Sequence, residues 1–514
     1  MWRKHAARLH GPQRGRHSVV MCFELAQLVP SLSMIVLSQF WALPSCRYIS
    51  TMLPSEEVSW NLVLNGTIDM TEEVGKNPNK MGKEWDDNEL RLDSKRSGGH
   101  DFSSNIVLSS MRKSNNVETG LKQLNVLHEN DIWRRWTTAR DRQLLSASLQ
   151  IRNAPVLRNL SGLHPPLYWN VSMFKRSYDL MERLLKIYVY KEGEKPIFHH
   201  PKLRGLYAAE GWFMKLIERS KHFIVRDARK AHLYYLPFSS GTLRTALHDK
   251  KSASVKDLEH YLADYVNLIK TRYHFWNRTR GADHFFIACH DWGSRITRHH
   301  LGSCIRGLCN ANIARGFSVG KDVSIPVTYV RSGNDPIRDI GGKSASERDI
   351  LAFFAGQLHG YLRPLLLQYW ENKVPDMKIM GPMQRDVQGK AIYREYMKSS
   401  KYCICARGYE VHTPRVVESI FYECIPVIIS DNYVPPFFEV LNWEAFAVFV
   451  NEKDILNLRN ILLSITEERY LEMQYNLQRV QRHFIWHKNP EKYDLFHMML
   501  HSVWYNRLSQ MRPA

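Results

Sequence analysis

Paired carboxylates in the form best suited to hold a metal are missing: no Asp-x-Asp triplet and no HExxH occur in the 514 residues. The first absence leaves a metal-bridged diphosphate without support, and the second does the same for a two-histidine zinc helix. Any diphosphate leaving here must then be neutralised by arginine side chains and a helix N-terminus. Cysteine is scarce. Eight residues in this length do not make a disulfide scaffold, and no spacing among them argues for zinc. Cys403 and Cys405 share one face of a strand as small core residues, while Cys304 and Cys309 are close enough in sequence for a bridge in an oxidising lumen. Acidic residues run short, 51 against 71 Lys and Arg, for a formal net charge of +20. Such an excess suits an anionic partner: nucleic acid, a membrane surface, an acidic polymer or a phosphorylated substrate. The basic residues are scattered apart from an N-terminal cluster, and no zinc-finger or RNP pattern appears, which disfavours nucleic acid.

What is present begins with length, enough for two domains plus extensions. Residues 1–18 carry Arg3, Lys4, Arg8, Arg14 and Arg16, and residues 19–46 are largely apolar, with no charge between Glu24 and Arg47. This reads as a cytoplasmic tail and a single-pass type II signal anchor, with a cleaved signal peptide ending near Ala42–Ser45 as the alternative. Residues 47–165 are polar and irregular, a largely disordered stem, with a helix expected around Trp133 to Ile151. Four N-x-S/T sequons, at Asn65, Asn159, Asn170 and Asn277, fit a secretory lumen.

From Tyr168 onward strands alternate with helices, which indicates parallel sheets with right-handed crossovers. Strands are expected at Lys186–Tyr190, His232–Phe238, His284–Cys289 and Val327–Val330 in one half. The second half offers Ile350–Ala355, Met377–Gly381, Tyr402–Ala406, Ile425–Ile429 and Ala445–Val450, then a long helical region across Glu467 to Leu508. Gly333–Arg348 reads as the linker. The fold class is therefore α/β, with two doubly wound halves, 166–340 and 341–510, facing a cleft.

Three stretches offer chemistry. In Tyr402–Pro436 a strand breaks at Arg407-Gly408 and Thr413-Pro414 opens a helix, so a helix N-terminus faces a crevice suited to an anion. Arg407 sits at the lip and Glu418 lies one turn in, placed to accept from sugar hydroxyls. The alternative has Arg407 solvating a loop and Glu418 pairing with Arg415 at i,i+3. In Leu351–Pro364 a strand runs into a loop with Gly356, Gly360 and Arg363, which could cradle a phosphate or be an ordinary βα turn. In His290-Asp291-Trp292-Gly293, at a strand C-terminus, Asp291 or His290 could act as general base, or Asp291 could cap a helix and Trp292 fill the core.

The stretches LKIYVYKEG, HLYYLPFSS, FWNRTRGADHFFIACHDWG, CNAN, GKDVSIP, LAFFAGQLHGYLRP and SDNYVPPFFEVLNW, in this order, resemble the plant branch of the exostosin glycosyltransferases, family 47. The resemblance covers about Pro166 to Gln510, and departs at Ser294, where relatives often carry Pro. It implies a type II Golgi membrane protein of GT-B fold with Rossmann-like acceptor and donor domains. It also implies inverting, metal-independent transfer from a UDP-sugar to a cell-wall polysaccharide or glycoprotein glycan, without a cofactor. The residues implied for the donor are Arg407, Glu418, Gly356, Arg363, Gly408, Thr413 and Arg415; Asp291, ahead of His290, is implied as the base. A scaffold subunit of a Golgi complex of transferases is the alternative to an active enzyme.

Overall fold

Helices start where a short polar side chain precedes apolar periodicity, because that side chain takes one of the orphan N–H groups of the first turn. Thr138 and Asp141 form a capping box for α1 (Ala139–Arg152), Asn170 caps α2 (Val171–Leu184), and α3 (Ala208–Arg219) follows. Ser254 and Asp257 cap α4 (Val255–Arg272). In the second half come α5 (Leu362–Trp370), α6 (Val387–Ser399), capped by Asp386, and α7 (Arg415–Phe421). Thr466 caps α8 (Glu467–Val480) and Asp494 caps α9 (Leu495–Gln510). The computed structural model describes residues 138–157, 162–249, 252–334, 336 and 339–511. The tail, the anchor, most of the stem, Asn65 and Asn159 lie outside them. Among the described residues no helix is long and apolar enough to cross a membrane.

Two five-stranded parallel sheets organise the chain. The first runs in the order β1 (Ile187–Val189), β2 (Leu233–Tyr235), β3 (His284–Ala288), β4 (Ile305–Leu308), β5 (Val323–Ser324). A parallel bridge from Ile187 to Ile224 adds an outer segment beside β1, so the order reverses between β1 and β2. Accordingly α3 packs on the face of Leu233, Tyr235 and Phe285, and α4 on the opposite face with Tyr234 and Phe286. The second sheet has β6 (Ile350–Ala355), β7 (Met377–Met380), β8 (Ser400–Ala406), β9 (Ile425–Ile429) and β10 (Val448–Phe449) in the order β10-β9-β8-β6-β7. It too reverses, at β6 and β8, with α5 on one face and α6 on the other.

Several local expectations are corrected. Val327–Val330 is not a strand; only Val330 bridges, to Gly205. The true fourth strand, Ile305-Arg306-Gly307-Leu308, hides its character behind Arg306, which is buried against Asp322. Cys304 does not pair with Cys309. Cys309 and Cys289 end the neighbouring strands β4 and β3, with Cα atoms 4.6 Å apart, and form a disulfide. Cys403 is likewise bonded, to Cys424 just before β9, with Cα atoms 5.7 Å apart, while Cys304 and Cys405 are free and buried. The helical region after Glu467 is broken between α8 and α9. The last helix, α9, returns to the first sheet: Asn506 Nδ2 donates to the Asp322 carbonyl at 2.9 Å and His501 Nε2 meets Ser177 Oγ at 2.9 Å. One apolar cluster runs from Ile187 and Phe285 through Phe496 and Trp504 to Ile404 and Ile429, joining both sheets.

Candidate active site

The strand order reverses at β6 and β8, and the crevice in which ligands of such sheets bind lies outside the C-terminal ends of these strands. Gly356 to Arg363 follows β6 and Arg407 to Pro414 follows β8, so both glycine- and arginine-bearing stretches meet at these strand ends. Helix α7 has seven residues and starts at Arg415, one position later than a Thr413 cap would give. Thr413 Oγ1 instead accepts from Arg415 N at 3.4 Å. A helix this short contributes little dipole, and the positive potential comes from guanidinium groups.

Two of these are buried. Arg415 donates from Nη2 to the Ala355 carbonyl at 2.6 Å, and its guanidinium lies 4.6 Å from the centre of the Phe354 ring. Arg363 donates to the carbonyls of Ala406 (3.2 and 3.3 Å) and Gln357 (3.0 Å). Among the described residues neither has a carboxylate at ion-pair distance, and Arg415 Nε has no partner. Burial and the charge of Arg415 bring the Arg363 guanidinium down to about 10. The glycines leave room for these groups. A Cβ on Gly356 would stand 2.6 Å from Arg415 Nη2, and one on Gly408 would stand 3.2 Å from Arg363 Cζ. Gly360, at φ +71°, meets the Gly408 carbonyl so closely that a Cβ would overlap it, which binds the two loops together.

Arg407 is differently placed. Its Nη1 pairs with Glu452 Oε1 at 3.2 Å, and its guanidinium sits 5.6 Å from the Tyr361 ring centre, with Nε unpartnered. Glu452 also accepts from the Asp431 N–H at 2.8 Å and from the Tyr361 hydroxyl. Glu418 does not pair with Arg415; its Oε2 accepts from the Tyr393 hydroxyl of α6 at 3.1 Å.

The other wall comes from the first sheet. Asp291, two residues beyond Cys289, accepts at Oδ1 from the Tyr207 hydroxyl (2.8 Å) and lies 3.2 Å from His412 Nε2, a residue of the loop after β8. Burial alone would raise its carboxyl, yet the hydrogen bonds and charge of His412 and Tyr207 hold it below the ordinary range. His290 Nδ1 accepts from the Trp292 N–H at 3.1 Å, and burial brings the imidazole down to about 4, so it stays neutral. Behind them Glu210 of α3 is fully enclosed. It accepts from Ser239 Oγ (2.7 Å), Ser240 Oγ and the backbone N–H groups of Gly241 and Cys289. Ser240 Oγ in turn accepts from His290 N at 3.1 Å. Burial raises the Glu210 carboxyl. Arg315 to Glu410 (2.7 Å) and Val434 N to the Ala311 carbonyl (2.9 Å) further tie the strand ends of the two sheets together.

Glu210, His412, Tyr207, Tyr393 and Glu452 are absent from the sequence reading. A histidine two residues after Glu410 in a βα loop was the one visible signal; the others come from distant segments. Asn170 and Asn277 are exposed, Asn170 also accepting from Met173 N at 3.0 Å as a helix cap. Gly316-Phe317-Ser318-Val319-Gly320 matches a G-x-S-x-G spacing but lies in the turn before β5, where Ser318 N–H donates to Asp322, not at a strand-to-helix elbow.

The Exostosin GT47 domain model matches residues 181–465, a span that takes in both walls of the crevice. The chain belongs to the exostosin family of glycosyltransferases. A probable glycosyltransferase of Arabidopsis thaliana, At5g03795, is 45% identical over 347 residues, covering 67% of this chain and 66% of that one. The probable beta-1,4-xylosyltransferase IRX10 of the same plant is 28% identical over 351 residues, covering 62% of this chain and 81% of its own. A crystal structure of TarM overlaps 39% of this chain and 51% of that one at 9% identity and a TM-score of 0.21, too low to bear on the fold. In this exostosin chain the crevice residues thus belong to a glycosyltransferase.

Proposed function

We propose that the protein moves a sugar from a UDP-linked donor to a hydroxyl of a cell-wall polysaccharide or glycoprotein glycan, with inversion, without a metal and on a GT-B scaffold. One observation carries this: Arg415 and Arg363 are buried at the reversal of the second sheet, and among the described residues no carboxylate lies at ion-pair distance from either. A buried charge without a counter-ion is costly, and a diphosphate is an anion of the right charge and shape for two guanidinium groups. Arg407 stands nearby, exchanging Glu452 for a phosphate oxygen. Glu418, oriented by Tyr393, accepts from ribose hydroxyls. Asp291 takes the proton from the acceptor hydroxyl as that oxygen attacks the anomeric carbon; the bond from that carbon to the diphosphate oxygen breaks, and UDP leaves with its charge against the arginines.

Two relatives, named a β-1,4-xylosyltransferase and a glucuronosyltransferase, make UDP-xylose and UDP-glucuronate the first donors to try. The disulfides Cys289–Cys309 and Cys403–Cys424 suit an oxidising lumen, and we place the protein in the Golgi as a type II membrane protein. The test is a thermal-shift panel of UDP-sugars on the purified chain, followed by product analysis with the donor that binds. A ligand at 100 times its Kd should add about 2.7 kcal/mol of stability. No shift with UDP or any UDP-sugar overturns the reading.

A further inference from the structure

The contact between His412 and Asp291 joins the two walls at the atom on which the proposed reaction depends. His412 leaves β8 on the same loop as Arg407, yet its Nε2 lies 3.2 Å from Asp291 Oδ1, on the loop after β3. Its side chain is 4% exposed and its Nδ1 has no partner. The Tyr207 hydroxyl donates to the same Oδ1 at 2.8 Å. The Tyr207 hydrogen bond and the His412 contact both fall on Oδ1 and leave Oδ2 as the atom for an acceptor hydroxyl, and the 36% exposed Asp291 side chain gives it access.

We propose that His412 is a positioning residue for the base: it reaches across from the donor wall to orient Asp291, so that the loop which takes the diphosphate also sets the acceptor-activating carboxylate. This rests on the reading of Asp291 as base. The wiring is short. Arg407 and His412 share one loop, pinned to the preceding one by the Gly360–Gly408 contact, so a donor held by Arg407 steadies the imidazole as well. The other titratable or charged groups facing the pair are Tyr207, Arg244, Asp249, His290 and His359. Of these, Tyr207 is the other direct donor to the carboxylate.

The experiment compares His412→Ala and His412→Gln in the full chain by acceptor kinetics across pH, with UDP affinity from thermal shift. A base supplies about 10²–10⁴-fold in rate, so misorienting it in His412→Ala should cut kcat at least about tenfold, with UDP affinity changed less than about twofold. The acid limb of the pH profile should move to higher pH, because His412 helps hold the carboxyl down. His412→Gln, which keeps an N–H for Oδ1, should recover most of kcat. Unchanged kcat and acid limb in His412→Ala, or a loss of UDP affinity matching the loss of turnover, overturns the proposal. Asp291→Asn separates the two failures. If it is inactive while His412→Ala behaves as wild type, only the positioning role falls; if it retains turnover, the base assignment falls with it.

Discussion

At the residue scale the arginines of the crevice divide by their counter-ions. Arg407 is half-buried and paired with Glu452, whereas Arg415 is buried with carbonyls and an aromatic face around it. Arg415→Met keeps much of the volume but leaves the buried Ala355 carbonyl without its donor and Tyr393 and Glu418 without the facing charge, so unliganded stability should fall by about 1–3 kcal/mol. The stabilisation by UDP should disappear. Thermal melts with and without UDP check both halves; a retained UDP shift contradicts the diphosphate role. Arg407→Ala removes one partner of a largely buried pair, while Glu452 keeps its bonds from the Asp431 N–H and the Tyr361 hydroxyl, so stability in the melt should fall by about 1–3 kcal/mol. Its turnover should drop about 10²–10³-fold, as for loss of one preorganised donor to a developing anion. Steady-state kinetics at saturating donor decide it: near-normal kcat removes Arg407 from the mechanism.

At the element scale the site depends on two βα loops held in contact, and the glycines there serve the packing of the protein. Gly356 and Gly408 leave space for the guanidinium groups of Arg415 and Arg363, and Gly360 lets one loop meet the backbone of the other at positive φ. The expected phosphate cradle of Gly356 and Gly360 remains a proposal; in the structure the space at Gly356 is taken by the Arg415 guanidinium and Gly360 meets Gly408. Gly360→Ala should cost about 1–3 kcal/mol for the left-handed backbone alone. Separating the loops should also weaken UDP binding by more than the stability change accounts for. A calorimetric titration with UDP reads the second effect, and unaltered affinity would show that the loop contact is irrelevant to the donor.

For the whole molecule, pH dependence follows from histidines enclosed by the returning C-terminal helix, by the crevice and, for His232, by α1. Burial brings His232, His290 and His483 down to about 4, and His501, with the charge of His483 adding to burial, to about 3. Each is depressed from an ordinary value of 6.5, so between about 6.5 and 4 the unfolded chain binds protons that the native chain does not. Stability is therefore complete above pH 6.5 and lost as pH falls towards 4, each histidine contributing up to about 1.4 kcal/mol per pH unit. Denaturant unfolding at a series of pH values should show this slope; a flat profile from pH 7 to 5 would mean that these imidazoles are not held neutral.

The sequence by itself determined the alternation of strands and helices, the βαβ unit across β8, α7 and β9, and the residue types at the crevice. Each of these is written in local periodicity and in the breaks between elements. It placed Asp291 and Arg407 at strand ends and Arg415 and Glu418 on the helix that follows, but could not choose their partners. Glu418 was as free to pair with Arg415, three residues away, as with Tyr393, and the fold decided for Tyr393. The same holds for Cys403 with Cys424, for the return of α9 to the first sheet and for His412 against Asp291, residues 121 positions apart. Such pairings depend on the order in which strands assemble, because parallel neighbours are joined only through crossovers and their loops meet only once both sheets are built.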